Sequence, residues 1–303
     1  MYLEHFKLRE APFSLTPDTG FFFADAVHRE ALNVLLVALR SGEGFVKITG
    51  EVGTGKTLLC RMLLKHLDGE FLTCYLPNPF LTPSALRMAF AEELGIGFPR
   101  NLGQHRLLKL INERLIALSA AGRRVVLCLD EVQSLPDESL ESLRLLTNLE
   151  TEKSKLLQVV LFGQPELERR LAHRRLRQLR QRITFTYRLR PLDRRAATGY
   201  LRHRLAVAGR EDGGPLTPRA SRALYRASGG VPRLLNILAH KALLTAYGSG
   251  AARVGTRHVR RAVRDGRDRA ALLGWPAGQL GFAVIGLATV LALGLGLGLY
   301  LLP

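Results

Sequence analysis

A chain of 303 residues, 47% of them hydrophobic, predicts about two domains with ample material for a core. The formal net charge of +18 points to an anionic partner, nucleic acid or lipid head groups, although arginine supplies 36 of the 44 basic residues, a bias that codon composition alone can produce. Cys60, Cys74 and Cys128 fall in apolar segments without metal-like spacing and read as buried free thiols of a reducing compartment.

Mixed polar sequence follows Met1, so no secretory signal is expected at the amino end. Residues 1–24 set Tyr2, Phe6, Phe13, Phe21, Phe22 and Phe23 among turn-formers, a segment expected to pack its aromatics onto the domain that follows. Asp25 can cap a helix over residues 26–40, and residues 1–44 form the first unit.

Residues 45–57 carry the clearest chemistry. An apolar, β-prone run ends in Gly50-Glu51-Val52-Gly53-Thr54-Gly55-Lys56-Thr57 and passes at Leu58 into an apolar helix, the strand, phosphate loop and helix order of a Walker A site. The glycines let successive N–H groups point at a polyphosphate, and the helix dipole adds partial positive charge. Lys56 would then neutralise the β- and γ-phosphates of ATP, and Thr57 would hold Mg²⁺.

Further strands are predicted at residues 70–76, 123–129, 156–162 and 183–189. Helices are predicted at 82–94, 104–120 and 139–150, with a very basic helix over 165–181. Alternating strands and helices over 45–190 imply an α/β three-layer sandwich on a parallel five-stranded sheet, with ligands at the carboxyl ends of the strands. The third strand ends in Asp130 and Glu131: one carboxylate fits the metal, the other the base that activates water. Gln164 follows the fourth strand, where a polar probe of the γ-phosphate would sit. Arg177, Arg180 and Arg182 sit where a finger into a neighbouring subunit would, and Arg233 opens a helix that could reach the nucleotide.

From 191 to 270 the β signal disappears, and helices near 193–208, 218–228, 232–247 and 256–266 predict a small all-helical lid domain. Residues 280–302 are almost unbroken apolar sequence, enough to cross about 30 Å of hydrocarbon as a transmembrane helix within 275–302. Arginines 253, 257, 260, 261, 264, 267 and 269 flank it, which by the positive-inside rule keeps the preceding domains cytoplasmic and predicts a single-pass inner-membrane anchor. Gly294 and Gly298 stand at helix-pairing spacing within a low-complexity Leu-Gly repeat.

Walker A, Asp130-Glu131, Leu145-Leu146-Thr147-Asn148-Leu149-Glu150-Thr151, Phe162-Gly163-Gln164-Pro165, Leu179-Arg180-Gln181-Arg182 and Gly230-Val231-Pro232-Arg233 together resemble an AAA+ ATPase. The set is similar to the ExeA/GspA group of secretion ATPases and its MSHA-pilus biogenesis members, and the likeness covers about residues 1–265. The resemblance implies that Gln164 is sensor 1, Arg233 sensor 2, and Asn78 a partner that restrains Glu131. It implies a homo-oligomer that hydrolyses ATP to drive or regulate assembly of a type IV pilus or type II secretion machine, with membrane components of that machine as partners. Lys7 stands where relatives often have Gly, and a chain ending at Pro303 is expected to lack the periplasmic peptidoglycan-binding domain of ExeA-like proteins. Two other readings are a DNA-linked ATPase of the transposition type, given the basic run 169–195, and a membrane scaffold that binds nucleotide without turnover.

Overall fold

The computed structural model describes residues 1–77, 80–99, 101–147, 155–212 and 214–272, with side chains described as far as residue 265. Five strands, β1 (Phe45–Gly50), β2 (Phe71–Leu76), β3 (Arg124–Leu129), β4 (Gln158–Gly163) and β5 (Ile183–Leu189), pair in parallel in the order β2-β3-β4-β1-β5. Alternation along β3 supplies both faces of the sheet. Val125, Leu127 and Leu129 enter one apolar cluster, and Val126 and Cys128 enter the other.

The first unit begins with a single helical turn, α1 (Tyr2–His5). Two further helices, α2 (Ala26–Arg40) and α3 (Lys56–Leu67), cover the face that carries Cys128. The opposite face is covered by α4 (Pro83–Glu93), α5 (Gln104–Ala120), α6 (Asp137–Leu146), α7 (Glu166–Leu171) and α8 (Arg177–Arg182). Beyond β5 come α9 (Arg194–Val207), α10 (Pro218–Ser228), α11 (Pro232–Gly248) and α12 (Thr256–Leu272), which share a core of their own. Capping fixes several starts: the Asp25, Thr82, Asp193 and Thr217 side chains accept the N–H of the third residue beyond them, and proline follows Thr82 and Thr217.

Three expectations are corrected. The basic helix over 165–181 is broken into α7, a 3-10 turn at Arg174–Leu176 and α8. Leu167, Leu171, Leu176 and Leu179 are all buried, and the five-residue step from Leu171 to Leu176 does not fit one helical face. The chain therefore opens into extended backbone at His173 to return Leu176 to the core. The helix expected over 139–150 starts instead at Asp137, whose carboxylate and that of Glu138 suit the first turn, and runs to Leu146, while residues 148–150 lie outside the described residues.

The third correction concerns the aromatic segment. Only α2 of residues 1–44 packs on the sheet, whereas Phe6, Phe13 and Phe21 are buried among Leu201, Leu235 and Ala239 of the helical domain. Burying each ring contributes about 1.5–3 kcal/mol. Arg204 of α9 fastens the segment further, with its guanidinium 4.2 Å from the Phe21 ring centroid and N–H bonds to the Pro12 and Ser14 carbonyls. Among the described residues no helix is long and apolar enough to cross a membrane, and the transmembrane helix expected at 275–302 lies outside them.

Candidate nucleotide site

The strand order sets the tips of β1, β4 and β3 side by side, so Gly50, Gln164 and Asp130 meet at one end of the sheet. The loop from Gly50 to Lys56 turns there into α3. Gly53 and Gly55 hold φ of 81° and 100°, a left-handed backbone that L side chains rarely adopt. The space is closed as well: a Cβ on Gly53 would lie 2.5 Å from Cβ of Arg233, and one on Gly55 would lie 2.9 Å from Nε2 of His28. Val52 is exposed and Leu58 half-buried, so these two shape the loop's rim.

Lys56 is buried and folds back on the loop, its Nζ donating to the carbonyls of Gly50 at 2.7 Å and Glu51 at 3.1 Å. Burial holds its pKa below the usual lysine value, against the pull of the Glu131 and Asp130 carboxylates. The Thr57 hydroxyl donates to Asp130 Oδ2 at 2.5 Å, and the Glu131 N–H to Asp130 Oδ1 at 2.9 Å. Burial raises the Asp130 pKa, partly offset by the Thr57 hydrogen bond. A polyphosphate with its cation supplies charge of the right sign to both groups. Thr57 and Asp130 fit Mg²⁺, a hard cation that takes one carboxylate, a hydroxyl, phosphate oxygens and water. Among the described residues no group of three or more His, Cys, Asp or Glu gathers to hold a metal by itself.

Glu131 occupies left-handed backbone at φ 53°, which turns the chain sharply after Asp130 and is held by Ser134, whose N–H and hydroxyl both donate to the Glu131 carbonyl. Its carboxylate accepts from Gln164 Nε2 at 3.1 Å, which brings together the two residues expected as base and sensor. It also accepts from Gln133 Nε2 at 2.5 Å, while Gln133 Oε1 accepts the Gln164 backbone N–H at 2.9 Å. Gln133 was not legible as a site residue. Its only signal was position, two residues beyond Glu131.

The helical domain closes the site from the other side. The Arg233 N–H donates to the Gly53 carbonyl at 3.2 Å. Arg233, Pro232, Asn236, Tyr200 and Arg204 line a cleft of about 270 Å³ with Lys56, Thr57 and Glu131. The strap Ser14 to Asp18 completes the wall, a contribution hidden in a segment that reads as turns and aromatics. Arg180 and Arg182 line no part of this cleft. Arg180 is exposed, whereas Arg182 is half-buried and donates to Thr147 Oγ1 at 3.2 Å. Asn78 lies outside the described residues.

A phosphate loop at the tip of β1, paired carboxylates at the tip of β3 with β4 between the two strands, and a helical domain over the loop define a P-loop fold of AAA type. Residues 39–171 match the family model described as AAA domain. Over 255 residues, 84% of this chain and 46% of the other protein, the chain is 46% identical to General secretion pathway protein A of Aeromonas hydrophila. It thus spans about half the length of that relative. Solved structures with the same fold include Cdc6p of Pyrobaculum aerophilum (18% identity, TM-score 0.63, covering 82% of this chain and 71% of that one). Another is the ORC2 protein of Aeropyrum pernix (18% identity, TM-score 0.62, covering 88% and 73%). By these comparisons the chain is similar to the ExeA/GspA group of AAA proteins over the part of their length that it spans.

Proposed function

We propose that the chain hydrolyses ATP. The observation that carries this reading is the Glu131 carboxylate, fixed by two amide donors beside the Thr57–Asp130 pair. Loop N–H groups and Lys56 bind the phosphates, and Glu131 takes the proton of the water that attacks the γ-phosphorus as the bond to the β-phosphate oxygen breaks. Gln164 orients that reaction centre, and Arg233 reports the phosphate state to the helical domain. Thr57 and Asp130 would hold Mg²⁺, which would supply positive charge to the phosphates. Phosphate release by the purified protein tests the reading: Glu131→Gln should bind ATP and release almost no phosphate, and equal release by both proteins would remove Glu131 from the reaction.

The work done with that energy is proposed from kinship with a secretion-pathway protein: assembly of a secretion or type IV pilus machine by an oligomer held at the inner membrane through residues 280–302, with the ATPase domain cytoplasmic. Resistance of the full chain to carbonate extraction from membranes tests the anchor, since an interfacial helix would wash off.

A DNA-linked reading has one observation in its favour. Arg219, Arg222, Arg226 and Arg260 line a groove between α10 and α12, chemistry suited to a polyanion. Binding to duplex DNA that weakens steeply with salt would support it, and no retention at low salt would end it.

A further inference from the structure

The phosphate loop is braced from behind by a buried pair that lies outside both the Gly50–Thr57 stretch and Asp130-Glu131. His28, in the first turn of α2, points its ring at the loop, where Nε2 meets the Thr54 carbonyl at 2.9 Å. Nδ1 meets Asp25 Oδ1 at 2.5 Å, and the same Asp25 oxygen caps α2 by accepting the His28 N–H at 3.2 Å. Both side chains are more than nine-tenths buried, at 8% and 5% exposed. Phe22 covers the ring edge-on with centroids 6.2 Å apart.

Both neighbours of the imidazole are acceptors, a carboxylate and a carbonyl, so the contacts are met in full when each ring nitrogen carries a proton. The contact to Thr54 matters because of where that carbonyl sits. A phosphate loop binds by aiming N–H groups inward, which requires its carbonyls to point outward and find donors there. Thr54 lies between the two left-handed glycines, and its outward carbonyl is met by His28. Gly55 permits the approach, since any Cβ there would strike Nε2 at 2.9 Å. Asp25 in turn fixes the ring's rotation and supplies the buried countercharge.

We propose that Asp25 and His28 are positioning residues for nucleotide: they hold the Thr54 peptide in the orientation that turns the loop's N–H groups toward the phosphates. The inference rests on reading the loop as a nucleotide site and extends that site to α2, whose first turn reads in sequence as no more than a capped helix. His28 touches no phosphate. Its effect travels through one peptide plane.

The test is binding of a fluorescent ATP analogue to the full chain, alongside turnover and the unfolding midpoint without nucleotide. Leucine keeps the bulk of the ring and removes the donor, so His28→Leu should weaken binding by at least about tenfold, the cost of leaving one buried acceptor unmet. It should leave turnover at saturating ATP within about threefold, because the groups around Glu131 are untouched. His28→Gln, which can return an N–H to the Thr54 carbonyl, should recover most of the affinity. Leucine and glutamine variants that weaken binding equally would assign His28 to packing and overturn the proposal. So would a leucine variant that binds as tightly as the parent protein. If the parent protein itself binds no analogue, the reading of the loop falls and this inference falls with it, an outcome distinct from the other two.

Discussion

Thr57 Oγ1 and Asp130 Oδ2 lie 2.5 Å apart although 73 positions separate the two residues in the chain. The hydrogen bond ties the first turn of α3 to the tip of β3 and sets a hydroxyl and a carboxylate side by side, a donor pair for a hard cation. Thr57→Val keeps the shape and removes the hydroxyl. Nucleotide affinity measured with a chelator present should stay within about threefold, and the enhancement given by Mg²⁺ should largely disappear. Full Mg²⁺ enhancement in the variant would remove Thr57 from the cation site.

Lys56 is held by two backbone carbonyls rather than by a carboxylate, and burial lowers its pKa. Its charge is therefore weakly compensated within the protein and available to a phosphate. Lys56→Ala should abolish detectable ATP binding in calorimetry while leaving the unfolding midpoint of the nucleotide-free protein little changed or raised, since a buried cation costs stability unless paired. Retained binding within about threefold would dismiss the lysine's role.

The parts of this site written in one stretch of chain were legible, because the phosphate loop and Asp130-Glu131 each combine a run of apolar strand with polar residues at its end. The strands β1, β3 and β4 read correctly to within two residues for the same reason, since a buried parallel strand is a continuous apolar run, whereas β5 is largely exposed and read through its β-branched and aromatic residues. What could not be read was assembled by tertiary contact. Gln133 and His28 acquire their parts only when β3, β4 and α2 come together, and neither has a spacing that marks it. The strap at Ser14 to Asp18 reached the cleft because Phe13 and Phe21 on either side chose the helical core, a choice that composition does not encode. The break at His173 was legible in principle from the five-residue step between buried leucines, and the density of arginine around it masked that step.

Gln133 bridges Glu131 and Gln164 with both ends of one amide. Gln133→Ala should lower turnover about tenfold or more with ATP affinity unchanged, as Glu131 loses its shorter donor and Gln164 its backbone partner. Gln133→Glu, which offers acceptors to both, should be no better than alanine. A change in affinity with turnover intact would move Gln133 from the reaction centre to the binding of nucleotide.

Burial alone would raise the Asp25 pKa, but the hydrogen bond and charge of His28 outweigh it and the carboxyl lies below its ordinary value. A carboxylate lowered on folding contributes stability that is present above its unfolded value, about 3.9, and is lost as pH falls through the folded value. Asp25→Asn keeps a capping oxygen and removes the titration. The variant should be less stable than the parent protein at pH 7, and urea midpoints should converge as pH falls below about 4. A constant difference from pH 7 to pH 3 would show that the pair contributes no linkage.

Arg180 and Arg182 stand two residues apart at the end of α8, and their surroundings separate them. Arg182 is half-buried and engaged by the Arg144 carbonyl and Thr147 hydroxyl at the end of α6, whereas Arg180 is exposed. The helix leads into β5, which among the described residues pairs only with β1 and so forms an edge of the sheet, and neither arginine lines the cleft. In the oligomer proposed above, a guanidinium presented from that edge would serve a neighbouring subunit's phosphates. Arginine supplied in trans is worth about 10³ to 10⁵ in rate, because charge develops on the phosphoryl group as it transfers. Arg180→Ala should therefore keep ATP affinity within about threefold and lose most turnover. Arg182→Ala should act first on stability, through the lost tie to α6. Mixing Arg180→Ala with Lys56→Ala should restore activity, as an intact arginine of one subunit meets an intact phosphate loop of the other. Undiminished hydrolysis by Arg180→Ala, or mixed oligomers no more active than the two proteins apart, would return Arg180 to the solvated surface.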